Sequence, residues 1–159
     1  MNQISSGASV QITFGNNPAN VPNPLGGLVS SFSSYGPSYD MMFKPAVAAP
    51  GGNIISTYLL SKGGFMVLSG TSMATPFTAG TAALILQATN KSSAAIQGMR
   101  DLLQTTANPV PSNITEGAPW QTLSWQGMGL IQADAAINAR TWVSPAQLLL
   151  NDTANFNGT

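Results

Sequence analysis

Gly70-Thr71-Ser72-Met73-Ala74-Thr75-Pro76 forms a sharp, glycine-led turn between the apolar run Phe65 to Leu68 and a stretch of small residues. Upstream of it apolar residues come in short runs. Downstream they recur at helical spacing, with Phe77, Thr81, Leu84, Ile85 and Ala88 on one stripe. The change of period puts a strand end before Gly70 and a helix start at Ser72. Ala74, Ala79, Gly80, Ala82 and Ala83 would let other backbone approach that helix closely, as a helix packed on several sides requires. Pro76 has no N–H to offer the carbonyl of Ser72, so the first turn is locally fixed or bent.

Working outward, Ala8 to Phe14 reads as a short strand, because Val10, Ile12 and Phe14 alternate with Gln11 and Thr13. Gly15 to Pro24 holds four Asn and three Pro, the composition of a connector. Ser30 to Ser38 is serine-rich and bends at Gly36-Pro37. Ala46 to Pro50, Ile54 to Leu60 and Phe65 to Leu68 read as buried strand ends and their loops. Beyond the central helix, Ser92 or Ser93 can cap a second one, with Ala95, Ile96, Met99, Leu102 and Leu103 as its apolar face and Pro109 and Pro111 ending it. A loop containing Trp120 and Trp125 leads through Gly127-Met128-Gly129 to a third helix, about Gln132 to Ala139. Strands followed by helices with glycine-rich joints predict an α/β layer protein.

Composition narrows the function. The chain has 159 residues, 43% hydrophobic, which is enough for a real core in one domain. Only 6% are charged, so Ser, Thr, Asn and Gln supply the polar surface; such a chain suits burial in something larger or the outside of a cell. Formal net charge is zero and the five cations, Lys44, Lys62, Lys91, Arg100 and Arg140, are scattered, which argues against nucleic-acid binding. No run approaches the ~18 apolar residues of a membrane span. Met1 to Gly7 has no signal-peptide pattern, so the expectation is either a cytosolic protein or a true N-terminus that lies further upstream. There is no Cys, hence no disulfide or thiolate chemistry, and no His, hence no complete Ser-His-Asp triad within this chain.

Ser72 is the chemical candidate. N–H groups of a helix's first turn lack intrahelical partners and can donate to a developing oxyanion, where the helix dipole also favours negative charge. Taken alone, a serine there reads as a cap. The whole segment Gly70 to Pro76, however, resembles the nucleophile signature of the subtilisin-like serine proteases. Ser31-Phe32-Ser33-Ser34-Tyr35-Gly36-Pro37 and Lys44-Pro45-Ala46-Val47-Ala48-Ala49-Pro50-Gly51-Gly52-Asn53-Ile54 are similar to that family's Phe-Ser-Ser-x-Gly-Pro and Lys-Pro-Asp-x-x-Ala-Pro-Gly segments. Gly127-Met128-Gly129-Leu130-Ile131-Gln132-Ala133 resembles its Gly-x-Gly-Leu-x-x-Ala approach to the last helix. Gly51-Gly52 and Ser56-Thr57-Tyr58 lean toward secreted fungal members with a protease-associated insert.

The resemblance implies the C-terminal part of a three-layer α/β fold with a parallel sheet, incomplete in this chain. It implies three regions: residues 1–28 as strand and connector returning from an insert, 29–140 as the C-terminal half of the catalytic domain, and 141–159 as the start of a linker or further domain. Ser72 then becomes the attacking nucleophile, its own N–H an oxyanion donor, and Gly70, Thr71, Met73, Ala74 and Pro76 the support of its turn. The family's His, Asp and oxyanion Asn belong upstream; Asn16, Asn17 and Asn20 read as turn residues instead. Ala46 stands where the family has an acidic residue, and Phe77 where many members have a non-catalytic His. No cofactor or metal is implied, and the expected partner is a protein or peptide substrate.

The remaining polar residues read as structure. Asp40, Asp101, Glu116, Asp134 and Asp152 are isolated, with Asp134 favouring the start of the last helix. Trp120 and Trp125 read as loop-packing aromatics. Asn90-Lys91-Ser92, Asn113-Ile114-Thr115, Asn151-Asp152-Thr153 and Asn157-Gly158-Thr159 are four N-glycosylation sequons, which fit a secreted glycoprotein. Two competing expectations stay open: a catalytically dead remnant acting as a secreted binding or decoy module, and a glycoprotein whose Ser72 merely caps a helix.

Overall fold

The computed structural model describes residues 22–148. The strand expected at Ala8 to Phe14, the Asn-rich turn residues Asn16, Asn17 and Asn20, and the sequons at Asn151 and Asn157 lie outside the described residues.

The β-branched run Ile54–Thr57 (β1) pairs antiparallel with Phe65–Leu68 (β2), in the register Ile54 to Leu68 and Thr57 to Phe65. A 3-10 turn, Leu60–Lys62, and Gly63-Gly64 close the hairpin. These strands were expected to be buried. Instead Ile55 is 72% exposed and Phe65 67%, because within the described residues neither face of the hairpin is covered by another layer.

Three short backbone segments form the nearest thing to a second sheet. Ala48 lies parallel to Leu130, with Ala48 N–H donating to Gly129 O at 2.8 Å and Ile131 N–H to Ala48 O at 2.9 Å. Asn108 lies antiparallel on the other side of Leu130, exchanging bonds of 2.9 and 2.7 Å. The described residues thus carry helices and an antiparallel hairpin, with a single parallel bridge rather than a parallel sheet.

The central helix, Thr71–Ala88 (α1), begins at the glycine-led turn and runs on through Pro76. Thr75, Thr78 and Thr81 each donate their hydroxyl to the carbonyl four residues back, at 3.0 to 3.1 Å. Of the expected stripe, Thr81 and Ile85 are buried, but Phe77 and Leu84 stay about half exposed. The helices packed most closely on α1 lie C-terminal to it in sequence, and they leave these two side chains uncovered.

The second helix is two. Ser93–Gln97 (α2) is capped by Ser92, whose Oγ accepts from Ala95 N–H at 3.2 Å, and Met99–Thr105 (α3) follows after Gly98. A Cβ on Gly98 would lie 3.2 Å from the Trp142 ring, so the joint is also where that indole packs closely. Ala95, Leu102 and Leu103 are buried as expected; Ile96 is exposed, being turned away by the break. The loop expected around Trp125 contains a one-turn helix, Leu123–Gln126 (α4), capped by Thr122. The last helix is shorter than expected, Ala133–Ile137 (α5), with Asp134 in its first turn accepting from Asn138 Nδ2 at 2.9 Å.

One core joins these pieces: Ile85 of α1, Leu102 and Leu103 of α3, Ile131, and Ala136 of α5, flanked by Val47, Ala49 and Met99. Two glutamines are buried beside it. Gln126 is fully buried; its Oε1 accepts from Val110 N–H at 2.7 Å and its Nε2 donates to Gln121 O. Gln104 donates to Ala46 O, while its Oε1 has no partner among the described residues.

Candidate functional site

Ser72 is the second residue of α1 and exposed. What positions it is the chain just before it. Gly70 N–H donates to Gly51 O at 2.8 Å, and Asn53 N–H donates to Ser69 Oγ at 2.9 Å. The Pro50–Asn53 turn therefore clamps the end of β2 and fixes where α1 starts. Gly51 has to be glycine for that: a Cβ there would come within 2.7 Å of Gly70 O and 3.2 Å of the Ala74 methyl. Met73 N–H closes the turn onto Gly70 O at 3.0 Å.

The turn's electrostatics follow from its place. No acidic residue occupies the first turn of α1, so the partial positive charge of the helix start is not neutralised from within it. The N–H groups of Thr71 and Ser72 have no preceding helical turn to bond to. Pro76 leaves the Ser72 carbonyl without its helical donor, and Thr75 Oγ1 covers the neighbouring carbonyl of Thr71. Of the support residues, Gly70, Met73 and Ala74 are half-buried, whereas Thr71 and Pro76 are exposed.

Three segments that are distant in sequence gather near this turn. Trp125 Nε1 donates to Ser33 O at 2.8 Å, and its ring stacks on Tyr35 with centroids 4.7 Å apart. Gly36 N–H donates to Ser124 O at 2.7 Å. Met128 N–H reaches Ala46 O at 3.1 Å. The serine-rich bend is thus tied to Ser124 and Trp125, just ahead of the Gly127–Ala133 segment; that segment is bonded to Lys44–Ile54, which in turn holds Gly70. Trp125 packs as expected for a loop aromatic; Trp120 does not, being 67% exposed.

Two openings flank the turn. A broad, mostly apolar groove of about 990 Å³ is lined by Leu28, Val29, Ala48, Ala74, Ala79 and Leu103 among others. A smaller cleft of about 240 Å³ lies between Ser33–Ser38, Lys44, Pro45 and Thr71. Thr71 touches both and Ser72 neither. With no His in the chain, no imidazole faces the serine. Asp40 is engaged by its own turn: the Ser38 hydroxyl, then backbone N–H groups and Lys44, hold its carboxyl below the ordinary value. Among the described residues no cluster of His, Cys, Asp or Glu could hold a metal ion, and no helix is long and apolar enough to cross a membrane.

The clamp made by Gly51, Asn53 and Ser69 was not singled out from the sequence. Its one visible signal was the Pro50-Gly51-Gly52 run, where tolerance for a close backbone neighbour is encoded.

The profile of the subtilase family matches residues 5–129, which span Ser72, its turn and its clamp. The chain belongs to the subtilase family. It is 38% identical over 124 residues to the PII-type proteinase of Lactococcus lactis subsp. cremoris, covering 70% of this chain and 6% of that protein. It is 35% identical over 143 residues to the minor extracellular protease Vpr of Bacillus subtilis strain 168, covering 87% of this chain and 17% of that one. Over a shorter stretch of 74 residues it is 42% identical to the C5a peptidase of Streptococcus pyogenes, covering 46% of this chain and 6% of that relative. The subtilase chain therefore spans between 6 and 17% of the length of these relatives.

Proposed function

We propose that this chain is the nucleophile-bearing part of a serine endopeptidase that hydrolyses peptide bonds through an acyl-enzyme. The observation that carries the reading is the exposed Ser72 in the second position of an 18-residue helix, within the seven residues that resemble the family's nucleophile signature. Ser72 Oγ attacks the scissile carbonyl and its own N–H helps hold the oxyanion; a His supplied from outside this chain takes the hydroxyl proton and passes it to the leaving amine; water then releases the acyl group. An Asp to orient that His and an Asn as second oxyanion donor come from the same source.

The finer features of the reading fit the same frame. The Ala48–Leu130 bridge is the margin of a parallel sheet whose other strands lie outside the described residues, and the 990 Å³ groove is where they pack. Residues 29–140 form the C-terminal half of the catalytic domain, entered from an insert through residues 1–28. The place of action is outside the cell, supported by the low charge, the sequons and the extracellular designation of the Bacillus relative. The Gly51-Gly52 and Ser56-Thr57-Tyr58 segments favour a fungal type of subtilase. Substrates are proteins or peptides, without nucleic acid, metal or cofactor.

The test is proteolysis with and without the missing base. The isolated chain should not turn over a peptide substrate, because a serine hydroxyl without a base is a weak nucleophile. A longer polypeptide carrying the upstream His should do so, and Ser72→Ala should lower kcat by on the order of 10⁶, the figure established for subtilisin itself. Full activity in that Ser72→Ala variant would refute the reading. The absence of His from all 159 residues favours a second reading, a non-catalytic binding or decoy module. It requires the mature natural protein to bind peptides without cleaving them.

A further inference from the structure

We infer that Asn113 is an N-glycan acceptor and that Asn90, the other sequon among the described residues, is not. The inference rests on the extracellular reading above, since the donor sugar meets a chain only inside the secretory route.

The two sequons differ in what their atoms are already doing. Asn113, Ile114 and Thr115 are all exposed, at the tip of a loop that leaves and rejoins the core. Two rungs hold its stem: Gln121 N–H donates to Val110 O at 2.9 Å, and Ser112 N–H to Pro119 O at 2.8 Å. Val110 is buried and its own N–H is held by the buried Gln126, so the tip is presented outward from a fixed base. Within the tip, Asn113 Oδ1 accepts from Thr115 N–H at 2.8 Å, while its Nδ2 has only a long contact with Ser112 Oγ, at 3.5 Å. The amide nitrogen faces solvent chemistry with nothing to give up. Ile114 and Trp120, 72% and 67% exposed, stand on the same loop, and a glycan stem there would cover apolar surface that is otherwise left to water.

Asn90-Lys91-Ser92 is exposed too, but its backbone and the Ser92 hydroxyl belong to two helix ends. Asn90 and Lys91 both sit in the left-handed region, with φ of 51° and 55°, and their N–H groups close the end of α1 on Gln87 O and Leu86 O at 3.2 and 2.7 Å. Ser92, whose hydroxyl a transferase must engage, caps α2 through Ala95 N–H. Presenting this sequon means undoing a helix end and a helix start together.

The modification joins Asn113 Nδ2 to the anomeric carbon of a lipid-linked diphosphate oligosaccharide. The carbon–oxygen bond to the diphosphate breaks, the lipid diphosphate leaves with the electron pair, and the amide loses one proton. Nothing is oxidised or reduced.

The experiment is to send the full chain, behind a cleavable leader, through a eukaryotic secretory pathway. The soluble, folded lumenal protein is then treated with peptide N-glycosidase in ¹⁸O water, which marks each occupied Asn as labelled Asp. The expected result is label at Asn113 and none at Asn90, with one glycan's worth of mobility lost in both Asn113→Gln and Thr115→Ala and unchanged in Asn90→Gln. An unlabelled Asn113 peptide, or equal label at Asn90, would overturn the proposal. Because the leader imposes the route, neither outcome depends on whether the natural protein is a protease or where it resides.

Discussion

Gly51 carries more of the candidate site's geometry than its size suggests. It accepts from Gly70 and packs against Ala74, so the first turn of α1 is set from outside the helix. Gly51→Ala is expected to cost about 1–3 kcal/mol, since the new methyl overlaps backbone that has no room to retreat. Denaturant unfolding gives that figure, and kcat of the protease proposed above should fall with it because the same displacement moves Ser72. A neutral Gly51→Ala would show that the clamp does not set the position of Ser72. Ser72 itself was legible from the sequence, as part of a seven-residue pattern with a physical reason for each member. Its clamp was not, because Ser69 and Asn53 are ordinary residues whose meaning comes only from meeting across the hairpin.

At the scale of elements, the central helix was readable from periodicity and small residues, and so was the Ser92 cap. Ser92→Ala should lower stability by about 1 kcal/mol, the usual worth of such a cap, read as a shift in denaturation midpoint with unchanged slope. A loss near zero would mean that α2 is held by Ala95 packing alone. The split at Gly98 escaped the pattern because Ala95, Ile96, Met99, Leu102 and Leu103 keep helical spacing across it; at the break itself packs Trp142, a residue 44 positions on. The hairpin was half legible. Its strands follow from β-branched runs and turn glycines, but their exposure does not, since a run of apolar residues carries no label saying which layer covers it.

For the whole molecule, the unmatched surfaces decide behaviour. Ile55, Phe65 and Val67 on the hairpin, Phe77 and Leu84 on α1, and the long groove leave apolar area open to water well beyond what a lone domain usually shows. The isolated chain is expected to bind a hydrophobic dye strongly and to elute from size exclusion as concentration-dependent assemblies. A compact monomer without dye binding would show that these faces close on one another. The family was legible because its matching segments come together near one turn; a histidine base was not, because these 159 residues hold no His. The threonines of α1 add a last consequence. Thr75, Thr78 and Thr81 spend their hydroxyls on their own helix, so to any neighbour they offer methyl groups. A segment spelled with polar letters thus behaves as oily surface once coiled and as water-loving chain before. Folding therefore creates stickiness here as well as hiding it, and it is while α1 is coiled but uncovered that this protein most needs protection from its own copies.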